Sequence, residues 1–237
     1  MPVKNKPKVV LAWSSGKDSA WMLHMLRQAR EYVPVALLTT FNEAFDRVAM
    51  HAVRSELVAA QARAAGLPLF RVPIPWPCSN EDYERAMAGA LADVQEKFGA
   101  FHMAFGDLFL PDVRAYREAK LRDTGITPVF PLWQQPTAEL SREMLRAGLK
   151  AVITCVDPKK VPAALAGRQY DAALLTELPA GADPCGENGE FHSFAYAGPM
   201  FKTPIPVTTG TVVHRDGFVF ADVMLQTPEE STHPRTR

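Results

Sequence analysis

The sequence predicts an α/β protein, a doubly wound parallel sheet covered on both faces, followed by a smaller C-terminal α+β lobe. Three observations carry this. Short apolar runs alternate with stretches of helical periodicity over the first two thirds of the chain, the signature of strand–helix repeats. The first apolar run, residues 9–13 (VVLAW), passes through small polar residues straight into a helical pattern. After Asp157 the alternation stops and prolines and glycines thicken. The expected division is therefore a sheet domain over residues 1–156, a lobe over 157–225, and a polar, disordered tail over 226–237.

The elements follow in order. After the strand at 9–13, a helix from Lys17 puts Met22, Met25, Leu26 and Ala29 on one face. Residues 35–40 form a second strand, and a helix over roughly 47–65 carries Val53, Leu57, Ala60 and Ala64 at helical spacing, with Gly66 as its stop. Residues 67–72 form the third strand. Ser79 and Asn80 are good N-caps for a helix striped by Tyr83, Met87, Leu91, Val94 and Phe98. A fourth strand covers 101–105, Pro111 opens a charged helix that ends near Gly125, and a fifth strand covers 127–130. Thr137 caps the next helix, Gly148 closes it, and 151–155 is a sixth strand of the same sheet. In the lobe, 207–214 and 218–223 flank Asp216-Gly217 as a hairpin.

Composition narrows the function classes. With 26 basic and 26 acidic residues the net charge is zero, so there is no electrostatic footprint for long nucleic acid or an anionic membrane. No apolar run reaches the length of a membrane span, and the basic N-terminus lacks the apolar stretch of a signal peptide. Cys78, Cys155 and Cys185 are scattered without a C-x-x-C pair, which indicates neither a zinc site nor a disulfide framework and fits a cytoplasmic protein. A homo-oligomer is left open.

The stretch Ser14-Ser15-Gly16-Lys17-Asp18-Ser19 is the sharpest local signal. A strand that ends in small residues and opens a helix points backbone N–H groups into one concavity, with the positive end of the helix dipole behind them, and that suits phosphate. The loop lacks the first glycine of G-x-x-x-x-G-K-[ST], so it is not a Walker A motif. The plainer alternative is a strand–helix turn capped by Asp18 or Ser19. In a doubly wound sheet, ligands bind beyond the carboxyl ends of the strands near the point where strand order reverses. That rule adds Thr39, residues 73–76 and Gly106-Asp107. Glycine allows close backbone approach, and Asp107 or Asp18 offers a carboxylate to hydrated magnesium; for Asp107 a turn carboxylate is an equal reading.

Two further groups stand out. The charged helix holds Arg114, Arg117, Glu118 and Arg122 at spacings of three or four, either a solvated face or a grip for an anionic acceptor. The stretch from Asp183 to Ser193 (DPCGENGEFHS) makes a tight, exposed turn around Gly186 and Gly189 and presents Glu187, Glu190 and His192. On its own it fits a metal site, a general-base site or a well hydrogen-bonded loop.

The loop at 14–19 is similar to the S-G-G-x-D-S loop of the PP-loop ATP pyrophosphatases. Together with Gly106…Arg114…Glu118, Pro131-Leu132-Trp133, Cys185-Gly186-Glu187-x-Gly189-Glu190-Phe191 and Gly198-Pro199-Met200-Phe201-Lys202, it follows the order found in the diphthine–ammonia ligase family of PP-loop proteins, which the chain resembles over residues 8–223. The resemblance implies a Rossmann-like fold of the PP-loop type and an ATP-dependent amidation. In that reaction a carboxylate attacks the α-phosphorus, pyrophosphate leaves, and ammonia displaces AMP from the acyl-adenylate. ATP is then expected on Ser14, Ser15, Gly16, Lys17, Asp18 and Ser19 of the loop, and on Thr39, Gly106 and Asp107 from the strand-end rule. Magnesium would lie on Asp18 and Asp107. The acceptor would lie on Arg114, Glu118, Gly186, Glu187, Glu190 and His192, and catalysis would fall to Lys17, Asp18, Glu187 and Glu190. Free ammonium is the implied nitrogen source and the acceptor carboxylate is unidentified. A PP-loop RNA-modifying enzyme and a nucleotide-binding regulatory module are the rival readings. Ser15 replaces the usual glycine, which requires a negative φ there; Asp107, Asp112 and Tyr116 also depart from the family segment.

Overall fold

The computed structural model describes residues 6–48 and 53–226; of the expected tail, residues 227–237 lie outside the described residues, while the Gln226 N–H donates to the Pro206 carbonyl at 3.0 Å. Strand β1 (Lys8–Ala12) runs into α1 (Lys17–Ala29), then β2 (Val33–Asn42), a short β3 (Arg47–Val48), α2 (Ser55–Ala65), β4 (Leu69–Ile74), α3 (Asn80–Phe98), β5 (His102–Ala104), α4 (Pro111–Leu121) and β6 (Thr127–Val129). Strand β1 pairs in parallel with β2 on one side and β5 on the other; β4 extends the sheet beyond β2, and β6 extends it beyond β5. Strand order therefore reverses at β1 and β5, which puts the loop after β1 and Gly106-Asp107 after β5 on either side of the switch point.

Alternation along β1 builds two cores. Val9 and Leu11 join the layer that holds α1 and α2, and Val10 joins the opposite layer with Leu91 and Val94 of α3. Ser79 caps α3 by accepting the Asp82 N–H at 3.1 Å, as its sequence position predicts. Gly66 ends α2 in the left-handed region at φ 67°.

Several expectations are corrected. The helix expected from about Arg47 begins at Ser55; Arg47 and Val48 instead pair antiparallel with Phe41 and Asn42. That position on β2 lies beyond the end of β1, so a free strand edge is available and hydrogen bonding there outweighs a helical periodicity that is weak before Val53. Thr137 is the first residue of α5 (Thr137–Arg146) rather than its cap, since Pro136 takes the cap position without a side-chain bond. The largest change concerns β7 (Lys150–Val156). It was expected as the sixth strand of the parallel sheet, yet it pairs antiparallel with β8 (Phe191–Ala197) and β10 (Phe218–Leu225), and β9 (Val207–Arg215) completes the second sheet in the order β8-β7-β10-β9. A division after residue 156 would cut this strand from its own sheet. A strand buried on both faces reads alike in either kind of sheet, so its partners decide. The expected hairpin is present, and Phe191–Ala197, read as the end of a loop motif, is a strand. The short helix α6 (Ala172–Glu177) is capped by Asp171, which accepts the Leu174 N–H at 2.8 Å.

The second sheet is not set apart from the first. Ile153, Phe194, Ala195 and Val219 share one continuous core with Trp13, Trp21 and Leu57.

Candidate functional site

The loop after β1 is closed by its own side chains. Ser14 Oγ accepts from Gly16 N–H at 3.4 Å and donates to Ser19 Oγ at 3.3 Å, and Ser19 Oγ donates to the Gly16 carbonyl at 3.0 Å. The second sheet completes it: the Ala195 N–H donates to the Ser15 carbonyl at 3.0 Å, and Ser193 Oγ accepts the Lys17 N–H at 3.2 Å. Ser15 is fully buried and holds φ at 70°, so the expected negative φ is wrong. A serine there costs about 1–2 kcal/mol, which these bonds to its carbonyl offset.

Gly106 fits closely against the same turn. A Cβ at this position would lie 3.1 Å from the Asp18 carbonyl carbon and 3.2 Å from the Ser19 nitrogen. Both neighbours are backbone at the mouth of α1, so they can yield only by moving the loop. We expect Gly106→Ala to weaken ATP binding about tenfold, measured by calorimetry, with little change in melting temperature; unchanged affinity would separate Gly106 from the nucleotide. Thr39 is buried, and its hydroxyl donates to the Trp13 carbonyl at 2.8 Å, tying the ends of β1 and β2 together.

Lys17 is buried although it opens a helix, where a lysine ordinarily reaches into solvent: its side chain is 2 % exposed. Its ammonium donates to both Asp18 oxygens, at 2.9 and 2.8 Å, and to the Cys185 carbonyl, and the rings of Tyr170 and Phe191 face it at 5.5 and 5.6 Å. Burial works against the charge, but Asp18, Cys185 and Asp183 more than offset it, and the Lys17 pKa is raised. Burial likewise lifts the Asp18 carboxyl, with Lys17 pulling the other way. The lysine thus latches the loop to the second lobe.

The turn from Asp183 to Glu190 is mostly buried, not exposed. Gly186 and Gly189 have φ 73° and 79°, and a Cβ on Gly186 would meet the Phe191 carbonyl at 2.9 Å, so only glycine suits that corner. Glu190, 3 % exposed, accepts the Asp183 N–H at 2.9 Å and the Asn188 amide at 3.3 Å through Oε1, while Oε2 is buried without a hydrogen-bond partner. Asp183 accepts the Glu187 N–H at 2.9 Å.

Glu187 crosses to the first sheet, where its Oε1 accepts the Leu108 N–H at 2.8 Å, two residues past Gly106. Burial raises its pKa to about 7; the Leu108 bond opposes the shift, and the charges of Asp18 and Asp107 add to it. A carboxyl at that value exchanges protons readily at neutral pH. His192 is partly buried, and burial followed by the Lys17 charge lowers its pKa.

Asp107 is ion-paired with Arg117 at 3.2 Å. Arg114 pairs with Glu118 at 2.8 Å and lies over Phe130 and Trp133 at 4.7 and 4.8 Å, on the surface of α4. Asp107 follows β5, and Phe130 and Trp133 follow β6, so these side chains stand beside the carboxyl ends of both strands. Among the described residues no three His, Cys, Asp or Glu side chains converge as a preformed metal cage. Magnesium that travels with a nucleotide needs only one or two carboxylates; Asp18 and Asp107, the carboxylates expected to hold it, are ion-paired with Lys17 and Arg117.

Gln61 and Tyr170 lie outside the residues that the sequence singles out. Gln61 had a signal: it stands four residues after Leu57 on the buried stripe of α2, where a polar side chain must find partners. Tyr170, whose hydroxyl donates to the Pro184 carbonyl at 2.9 Å, had none.

Residues 7–128 match the family model described as the diphthamide synthase N-terminal domain, and residues 136–222 match the diphthamide synthase C-terminal domain. The chain is similar to curated proteins named diphthine–ammonia ligase. It is 26 % identical to that of Rattus norvegicus, over 91 % of this chain and 88 % of the relative. It is 28 % identical to that of Danio rerio, over 88 % and 90 %, and 25 % identical to that of Homo sapiens, over 91 % and 88 %.

Proposed function

Because this chain belongs to the diphthamide synthase family, we propose that it is an ATP-dependent ligase that amidates a carboxylate with ammonia; its relatives are named for the ligation of diphthine and ammonia. The observation that carries the reading is Glu187, a carboxyl with a pKa of about 7 held against the backbone beside Gly106 and the loop at 14–19. In the first step the acceptor carboxylate attacks the α-phosphorus of ATP, the bond to the bridging oxygen breaks, and pyrophosphate leaves. In the second, ammonia attacks the acyl carbon and AMP departs with the bonding electrons. Ammonia arrives as ammonium, and the ionised Glu187 takes the proton that must be lost.

Each part has a stated task. The N–H groups opening α1 are assigned to the charge that grows on the departing pyrophosphate, since such fixed dipoles act most strongly in a site shielded from water, and the Ser14 and Ser19 hydroxyls hold the loop through their own hydrogen bonds. Lys17 keeps the second lobe on the loop and leaves its positive charge nearby. Asp18 and Asp107 would hold magnesium, which offsets phosphate charge when bound. Glu190 and Asp183 shape the turn that aims Glu187. Arg114 with its partner Glu118, and separately His192 on β8, are assigned to the acceptor, for which the relatives' name suggests diphthine. Two buried free thiols, Cys155 and Cys185, suit a reducing cytoplasm. Among the described residues no helix is long and apolar enough to cross a membrane.

The test is one incubation with ATP, magnesium, ammonium and a diphthine-bearing acceptor. AMP and pyrophosphate should appear one for one with amide. Formation of ADP and phosphate would exclude adenylation, and bound ATP without turnover would make the chain a nucleotide-binding module.

A further inference from the structure

We propose that Gln61 is a positioning residue that sets the conformation of the nucleotide loop without touching the nucleotide; this rests on the reading of residues 14–19 as the ATP site. Gln61 is fully buried on α2, and every hydrogen-bonding edge of its amide that the loop needs is in use. Its Oε1 accepts the Trp13 indole N–H at 2.8 Å. An indole can only donate, so the amide orientation is fixed and Nε2 must face the other way. There Nε2 donates to the Ser15 carbonyl at 2.9 Å and to the Ala195 carbonyl at 2.6 Å. One side chain thereby joins the residue entering the loop, the loop's left-handed residue and strand β8 of the second sheet.

The need for such a clamp comes from Ser15. At φ 70° it adopts a backbone conformation that glycine takes freely and serine takes only under constraint. Its own hydroxyl cannot supply the constraint, because Ser15 Oγ is buried without a hydrogen-bond partner. What remains is the Ser15 carbonyl, which among the described residues is held by the Gln61 amide and the Ala195 N–H. The direction of the next peptide, and with it the N–H groups of Gly16 and Lys17, follows from that carbonyl's position. Gln61 therefore does through hydrogen bonds what a glycine at position 15 would do through freedom of φ.

The experiment measures ATP affinity by calorimetry in the presence of magnesium for wild type, Gln61→Met, Ser15→Gly and the double variant. Methionine keeps length and volume and removes all three bonds. Gln61→Met should raise the ATP Kd about tenfold to a hundredfold, the scale expected when binding groups are misplaced by a fraction of an ångström to an ångström, and should leave the ammonium KM unchanged. Ser15→Gly alone sets the reference affinity, and adding Gln61→Met to it should cost only a small part of what Gln61→Met costs in the wild-type background. An unchanged Kd in Gln61→Met overturns the proposal. So does an equal loss in the Ser15→Gly background, because generic damage to the core would not be repaired by a glycine in the loop. Should Gln61→Met not fold, the double variant against Ser15→Gly alone gives the same comparison, and a loss of about tenfold or more in the double variant overturns the proposal. Wild-type protein that binds no ATP would sink the nucleotide reading itself, a result visible before any variant is made.

Discussion

Glu187→Gln should lower amide formation by about a hundredfold to ten-thousandfold while ATP binding stays at the wild-type level. Glutamine keeps the oxygen that accepts the Leu108 N–H at 2.8 Å, so the turn remains docked on the first sheet. What it loses is the ability to take a proton. The same residue sets the pH profile. With a pKa of about 7, Glu187 is protonated and inactive as a base at pH 6 and ionised at pH 8, so the amidation rate should climb through neutrality. In the glutamine variant that limb should vanish.

Stability moves in the opposite sense. The folded-state pKa lies above that of an unfolded glutamate, so the folded protein prefers the protonated form; the associated stability is present below the unfolded value and is lost as pH rises through about 7. Glu187→Gln, which imitates the protonated state, should therefore melt higher than wild type at pH 8 and alike at pH 4. A variant with full ligase activity, or one that merely melts lower at every pH, would reduce the turn to a structural feature.

The strand–loop–helix at 9–19 was legible because its information is local: apolar residues, a small-residue turn, then a helical stripe. Gly106-Asp107 was legible for a different reason, since topology alone places strand ends beside the switch point. Sheet membership of β7 was not, because Lys150–Val156 is apolar enough for either sheet and its partners lie about forty residues further along, at Phe191–Ala197. The burial of Lys17 was hidden in the same way. A lysine at a helix start reads as exposed, and what buries it arrives from Tyr170, Cys185 and Phe191, none of which sequence spacing connects to it. The resemblance assigned the residues of the second motif to the site; their division of labour, with Glu187 facing the first sheet and Glu190 holding the turn, depends on hydrogen bonds that no motif encodes.

Lys17 yields the other large effect, and it is one of stability as well as activity. Lys17→Met removes the cation from between Asp18 and the Cys185 carbonyl, leaving a carboxylate with no counter-charge in a site that is almost closed. Breaking one side of a buried ion pair costs about 3–5 kcal/mol, and since the Asp18 side chain is 27 % exposed the lower end applies. A loss of about 3 kcal/mol should lower the melting temperature by about 6–12 °C in a chain of this size. The uncompensated Asp18 carboxyl then has its folded pKa raised by burial with no lysine to oppose it, so the penalty should be full at pH 8 and shrink as acid protonates the group. Adding Asp18→Asn should recover much of the melting temperature at pH 8, because a neutral pair leaves no stranded charge. Turnover should stay low in the double variant, since the latch between the loop and the second lobe is still missing. A Lys17→Met protein that melts within about 2 °C of wild type at pH 8 would show that the lysine is not held in this cage. An equal loss at pH 8 and at a pH below the ordinary aspartate value of about 3.9 would assign the cost to packing around the Tyr170 and Phe191 rings instead of to charge.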